Sequence, residues 1–206
     1  MHKHLAFYGN KFHVMHYLLL ILSWFIFYAS HTVLASSKLK SFLKVKWGKA
    51  YKWYRLLYTM VSVLLFLVIV GQSLLIPAEI ILSRGDLSSY FGYMLAAFGT
   101  IILMKSSKGY SIVRFLGLVP VKEEKEQLVT SGLYGKVRHP LYAGLILVFA
   151  GYFLFSGSIT AAIHLACLLI YLPAGIYFEE QNLVEQFGES YKKYQSEVPA
   201  IIPRWK

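Results

Sequence analysis

Four uncharged apolar stretches constrain this chain more than any other feature. They run from Tyr17 to Ser37, Leu56 to Pro77, Leu87 to Met104 and Pro140 to Phe178. A helix rising about 1.5 Å per residue needs about 20 apolar residues to cross a bilayer's hydrocarbon core. The first three stretches therefore supply one spanning helix each, while the fourth is about twice too long for one. Its middle reads Ser156-Gly157-Ser158, a turn signal, so it is read as a helical hairpin of two short spans. The expected fold is an all-α integral membrane protein with five transmembrane helices, the last two forming a helical hairpin. The opening stretch lacks a small-residue cleavage site and is followed by further spans, so it is read as a retained helix.

Composition agrees with this. The chain is 57% hydrophobic and 15% charged, against about 45–50% and about 25% for soluble domains. A net charge of +11 could in principle serve nucleic acid. Eighteen of the 21 Lys and Arg residues nevertheless fall on one side of the five-helix arrangement, leaving Lys3, Lys11 and Arg84 on the other. By the positive-inside rule the amino terminus is then outside and the carboxyl terminus cytoplasmic, as in a bacterial inner membrane. Lys38 to Arg55 reads as a basic loop facing lipid headgroups, with Trp47, Trp53 and Trp205 as interfacial anchors. Membrane lipids are thus expected partners and nucleic acid is not. The lone Cys167 rules out an intrachain disulfide and any multi-cysteine metal site, so no metal is expected. A haem between His31 and His164 would need both at one depth, and they sit towards opposite membrane faces.

A hairpin brings its outer ends together. Arg138, His139, Pro140 and Tyr142 should therefore meet Glu179 and Glu180, although about forty residues separate the two groups. Pro140 suits the first turn of a helix, whose free amides and positive end, beside Arg138 and His139, make a seat for an anionic group. Gly132 and Gly135 permit a tight loop. Two carboxylates at membrane depth default to a functional role. Basic and acidic groups facing each other suit a ligand carrying both a carboxylate and a cationic centre. Downstream, Leu183, Phe187, Tyr191 and Tyr194 recur at helical spacing and predict a cytoplasmic amphipathic C-terminal helix lying along the interface.

The string LVTSGLYGKVRHPLYAG, followed by EEQNLVEQFGESYKKYQSEVPAIIP, resembles the signature of the integral-membrane methyltransferases, over roughly residues 128–203. That superfamily includes isoprenylcysteine carboxyl methyltransferases, phospholipid N-methyltransferases and methanethiol S-methyltransferases. The amino-terminal half, with SHTVLASSKLK and YRLLY, is similar to the thiol methyltransferases and to NnrU-type membrane proteins. The resemblance implies one domain over 1–206, with transmembrane helices and basic loops in 1–127 and a donor-binding hairpin and C-terminal helix in 128–206.

It also implies S-adenosylmethionine as methyl donor. Gln127, Leu128, Val129 and Tyr134 would hold its adenosine part. His139, Pro140, Leu141 and Tyr142, beside Arg138, would line its methionine part, with Glu179 and Glu180 completing the site. Isoprenylcysteine enzymes carry an arginine where this chain has Gly175. The resemblance therefore points to a small thiol or other lipophilic acceptor, unless Arg55 or Arg204 supplies the missing charge for a carboxylate. A thiol needs deprotonation, and His31 and Tyr58 are the candidates if they face the hairpin. The alternatives are a carboxyl or phospholipid N-methyltransferase, a non-enzymatic NnrU-type accessory protein, and a sterol-reductase-like oxidoreductase, for which no phosphate-binding glycine motif is present.

Overall fold

The computed structural model describes residues 2–83, 85–107 and 127–204, with residues 2–13 followed through their backbone alone. Arg84, Lys108, Arg114, Lys122, Lys125, Trp205 and Lys206 lie outside the described residues, as do the side chains of Lys3 and Lys11. The helices are α1 (His2–Ala35), α2 (Ser37–Trp47), a 3-10 segment (Gly48–Trp53), α3 (Tyr54–Leu75), α4 (Asp86–Ser107), α5 (Pro140–Ser156), α6 (Ile159–Phe187) and α7 (Glu189–Glu197). The described residues contain no strand.

Four segments are long and apolar enough to cross a membrane: Val14–Ala35, Ser37–Leu75, Asp86–Ser107 and Ile159–Phe187. Pro140–Ser156 is apolar but shorter, at 17 residues. It is bounded by chemistry at both ends. Pro140 opens it, and Gly157, at φ +62°, closes it with its N–H bonded to the Phe153 carbonyl. Ser158 then caps α6 by accepting from the Ala161 amide at 3.2 Å. The Ser-Gly-Ser turn is therefore where the sequence puts it. The connection between α3 and α4 lies across that tip: Ile81 and Leu82 amides bond the Gly157 carbonyl, and the Ile159 amide bonds Glu79.

Glycine sets the closest helix pair. A Cβ on Gly92 would lie 2.7 Å from the Gly151 carbonyl oxygen, and one on Gly99 would lie 2.7 Å from that of Gly144. The four glycines let α4 and α5 run antiparallel with their backbones in contact.

Leu20, Trp24, Ile69 and Ile76 form the core between α1 and α3, with Tyr28, Phe149 and Ile163 packed against it. The Trp24 indole N–H donates to His164 Nδ1 at 2.8 Å, and His164 Nε2 lies 3.0 Å from Ser73 Oγ, which donates to the Ile69 carbonyl. Because indole only donates, Nδ1 is unprotonated and the ring is neutral. Both nitrogens are engaged, which leaves neither for a haem iron. His164→Leu should lower stability by about 1–3 kcal/mol through the orphaned indole and leave ligand affinity at the far end of the bundle unchanged. Melting temperatures in detergent check this; an unaltered value would remove the bond from the list of stabilising contacts.

Two expectations are corrected. The stretch after Lys38 is not a loop: Ser36 accepts from the Leu39 amide and starts α2, whose first residue donates to Asn182 through both backbone N–H (3.1 Å) and hydroxyl (2.8 Å). The last span does not end at the acidic pair either. Helix-forming residues continue α6 to Phe187, and Gly188, at φ +57°, makes the break. The predicted stripe is thereby split between two helices. In α7, Tyr191 is 1% exposed and Tyr194 7%, so these rings pack inside the protein and not into the interface.

Candidate active site

The segment ahead of α5 is held from below. Gln127 to Thr130 run without regular structure, and a turn then forms at Ser131–Lys136, with Gly132 at φ +64°. The Tyr134 carbonyl accepts from the Tyr194 hydroxyl at 2.6 Å. Arg138 and His139 amides donate to the carbonyls of Pro199 (2.8 Å) and Ala200 (2.9 Å). The chain beyond α7 thus pairs with the loop that leads into α5, and backbone donors that the helix cannot use find acceptors there.

The acidic pair meets this loop, as the hairpin requires. Arg138 Nε donates to Glu180 Oε1 at 2.7 Å, and Nη2 lies 2.7 Å from the same oxygen. Arg138 Nη1 reaches the carbonyls of Gln195 (3.0 Å) and Val198. His139 Nε2 is 3.0 Å from Glu180 Oε1, and Gln195 Nε2 donates to Oε2 at 2.7 Å. Both Glu180 oxygens are therefore committed within the protein. Glu179 differs: its side chain is 46% exposed against 12% for Glu180, and its carboxylate lies 3.5 Å from His139 Nδ1. The Tyr142 ring stacks on His139 at 5.6 Å between centroids.

Burial disfavours a charged His139, but hydrogen bonds and attraction from Glu179 and Glu180 outweigh it and raise its pKa above the usual 6.5. A raised folded-state pKa adds stability that is complete below about 6.5 and is lost as pH climbs through the folded value. The melting temperature should fall across that interval, and His139→Gln should abolish the step. Superposable pH profiles for the two proteins would show that the ring adds nothing.

His31 and Tyr58 meet each other between α1 and α3. The Tyr58 hydroxyl lies 2.8 Å from the His31 ring, and both residues are within electrostatic reach of Glu179. Arg55 is one turn below Tyr58 on α3, half-buried. Arg204 is exposed in the final described segment, and Gln127, also exposed, leads half-buried Leu128 and Val129 into the turn. Sequence reasoning missed Gln195, Asn182 and Tyr171. Gln195 and Asn182 sit inside the motif string; Tyr171, on α6, bonds Thr32 of α1 and carries no local signal. Among the described residues no group of three His, Cys, Asp or Glu side chains could hold a metal ion.

The family model for phospholipid methyltransferases matches residues 87–190, a stretch that takes in α4, α5, α6 and the Arg138–Glu180 cluster. The chain belongs to the phospholipid methyltransferase family. Similar curated members include methanethiol S-methyltransferase of Crocosphaera subtropica, 36% identical over 121 residues covering 54% of this chain and 46% of that protein. Protein-S-isoprenylcysteine O-methyltransferase of Schizosaccharomyces pombe is 32% identical over 117 residues, covering 54% and 50%. The chain spans about half the length of these family members. No solved structure matches it.

Proposed function

We propose that this phospholipid methyltransferase family member is a membrane enzyme that transfers a methyl group from S-adenosylmethionine to a small thiol or lipophilic acceptor at the cytoplasmic face. The observation that carries this reading is the division between two adjacent carboxylates. Glu180 is used up holding the loop, whereas Glu179 keeps a free face beside the start of α5. A carboxylate next to a helix N-terminus matches the ammonium and carboxylate of an amino-acid moiety. The residues fit the donor in that sense.

In this reading Glu179 accepts from the donor's ammonium, and the first-turn amides of Leu141 and Tyr142 meet its carboxylate, Pro140 having no N–H to offer. Gln127, Leu128, Val129 and Tyr134 border the adenosine part, and His139 and Tyr142 form the wall between. Arg138 and Glu180 act as positioning residues, through the loop they fix. When bound, S-adenosylmethionine supplies a methyl group on a sulfonium, which departs as a neutral thioether as the acceptor's electron pair takes the methyl carbon. The His31–Tyr58 pair is a group able to receive a thiol proton. Rate enhancement then rests on orientation and water exclusion. The reading includes five crossings, with α5 and α6 as the last two, the amino terminus outside and the basic end, with α7, in the cytoplasm, as supported by eighteen of 21 positive residues on one side.

Calorimetric titration of the purified protein with S-adenosylhomocysteine tests it. Saturable binding is expected. Absence of binding at millimolar ligand would favour a non-enzymatic accessory role, and saturable NADPH binding would favour an oxidoreductase.

A further inference from the structure

Tyr171, Gly175 and Glu179 lie at i, i+4 and i+8 on α6 and share one face. At Tyr171 that face meets Tyr28 and Thr32 of α1. The Tyr171 ring is fixed from two directions. Its hydroxyl is 2.9 Å from Thr32 Oγ1, and its face stacks on Tyr28 with centroids 4.0 Å apart and planes 9° apart. The ring also lies over Gly175, where an added Cβ would come within 2.7 Å of its Cε1 and 2.8 Å of its Cζ. Only glycine at 175 allows the ring this position. Tyr58, hydrogen-bonded to His31, and Glu179, two turns along the same helix face, both act on Tyr171 electrostatically, so the ring stands beside the His31–Tyr58 pair on the Glu179 face of α6.

We infer that Tyr171, seated over Gly175, sets the length of acceptor the enzyme takes. The inference rests on the methyltransferase reading and deepens it. An acceptor reaching the space beside Glu179 from the membrane side meets an aromatic wall within about two helical turns, about 11 Å along the axis. That wall is held by a hydrogen bond and a stacked ring, so it does not swing away as a free side chain would. The neighbouring side chains, Tyr28, His31, Thr32 and Tyr58, offer hydroxyls and an imidazole. They suit a short, uncharged nucleophile such as a low-molecular-weight alkyl thiol.

The test measures transfer of labelled methyl from S-adenosylmethionine to methanethiol, butanethiol and octanethiol by the full-length protein in detergent, with S-adenosylhomocysteine binding measured on every variant. Wild type should prefer methanethiol. Tyr171→Ala should shift the ratio of kcat/KM for octanethiol over methanethiol upward by at least about tenfold, the scale on which pocket size discriminates chain length, with donor-product affinity unchanged. Tyr171→Phe, which keeps the ring, should leave the profile near wild type. Gly175→Ala should depress transfer to all three thiols, and adding Tyr171→Ala to it should relieve that loss, because the clash is with the ring. If the alanine variant fails to bind S-adenosylhomocysteine, Tyr171→Leu carries the same measurement, since it keeps an apolar side chain against Tyr28. An unaltered chain-length profile with intact binding overturns the inference. So does a wild-type preference for octanethiol, or absence of transfer to all three thiols by wild type that binds S-adenosylhomocysteine. Failure of wild type to bind S-adenosylhomocysteine instead overturns the methyltransferase reading, and this inference with it.

Discussion

Glu180→Gln is expected to destabilise the protein by about 3 kcal/mol or more, whereas Glu179→Gln should change stability by no more than about 0.5 kcal/mol. The contrast follows from their partners. Glutamine at 180 leaves the Arg138 guanidinium and the His139 ring facing a neutral amide in a cluster where Arg138 is 11% exposed and His139 3%. Removing one member of a buried charge pair leaves the other uncompensated, and that accounts for most of the loss. The Arg138 and His139 amides, bonded to Pro199 and Ala200, should exchange with solvent faster in the variant. Glu179 lies 3.5 Å from the His139 ring, and it is half exposed. Its loss should instead weaken S-adenosylhomocysteine binding about tenfold to a hundredfold, the scale of one charge-assisted hydrogen bond. Equal melting temperatures for the two variants, or equal ligand affinities, would sink this division of labour.

Gly99→Leu is expected to prevent α4 and α5 from packing. Two of the three nearest atoms to the added carbon are backbone, the Gly144 carbonyl oxygen at 2.7 Å and the Val148 amide nitrogen at 2.9 Å, and the third is the Leu147 Cβ at 2.9 Å. A side-chain clash can be relieved by a rotamer change, but a backbone clash moves the whole helix. The cost should exceed the about 1–3 kcal/mol of ordinary overpacking, and little folded protein should accumulate. Gly71→Leu is the control, because nothing lies within 4 Å of a Cβ at that position on α3. Its melting temperature should match wild type. A Gly99→Leu protein as stable as the Gly71→Leu protein would show that the close approach of α4 and α5 is not required.

The all-helical character, the long apolar helices and the hairpin turn were readable because each rests on a local physical demand, length for the helices and a left-handed glycine for the turn. The meeting of His139 with the acidic pair was readable from topology, without coordinates. The unequal duties of Glu179 and Glu180 were not. Successive helical residues point about 100° apart, and only the packing of α6 against the loop decides which carboxylate turns inward. The continuation of α6 past the pair depends on the same contact, with Gly188 as a stop that sequence reasoning passed over. Gly92 with Gly99, and Gly144 with Gly151, share a seven-residue spacing that was visible in the chain; which helices they join was not. Tyr171 stands further still from what a linear reading reaches, since its partners Tyr28 and Thr32 come from α1.

The backbone bonds that tie Ile81, Leu82 and Glu79 to the tip of the α5–α6 hairpin have a mechanical consequence. They join the α3–α4 connection to the turn between the two arms, so that end of the molecule behaves as a fulcrum. The arms are restrained where they turn, and at the opposite mouth the Arg138, His139 and Glu180 cluster ties them together. Any separation of the two arms is then a matter of leverage about a fixed point.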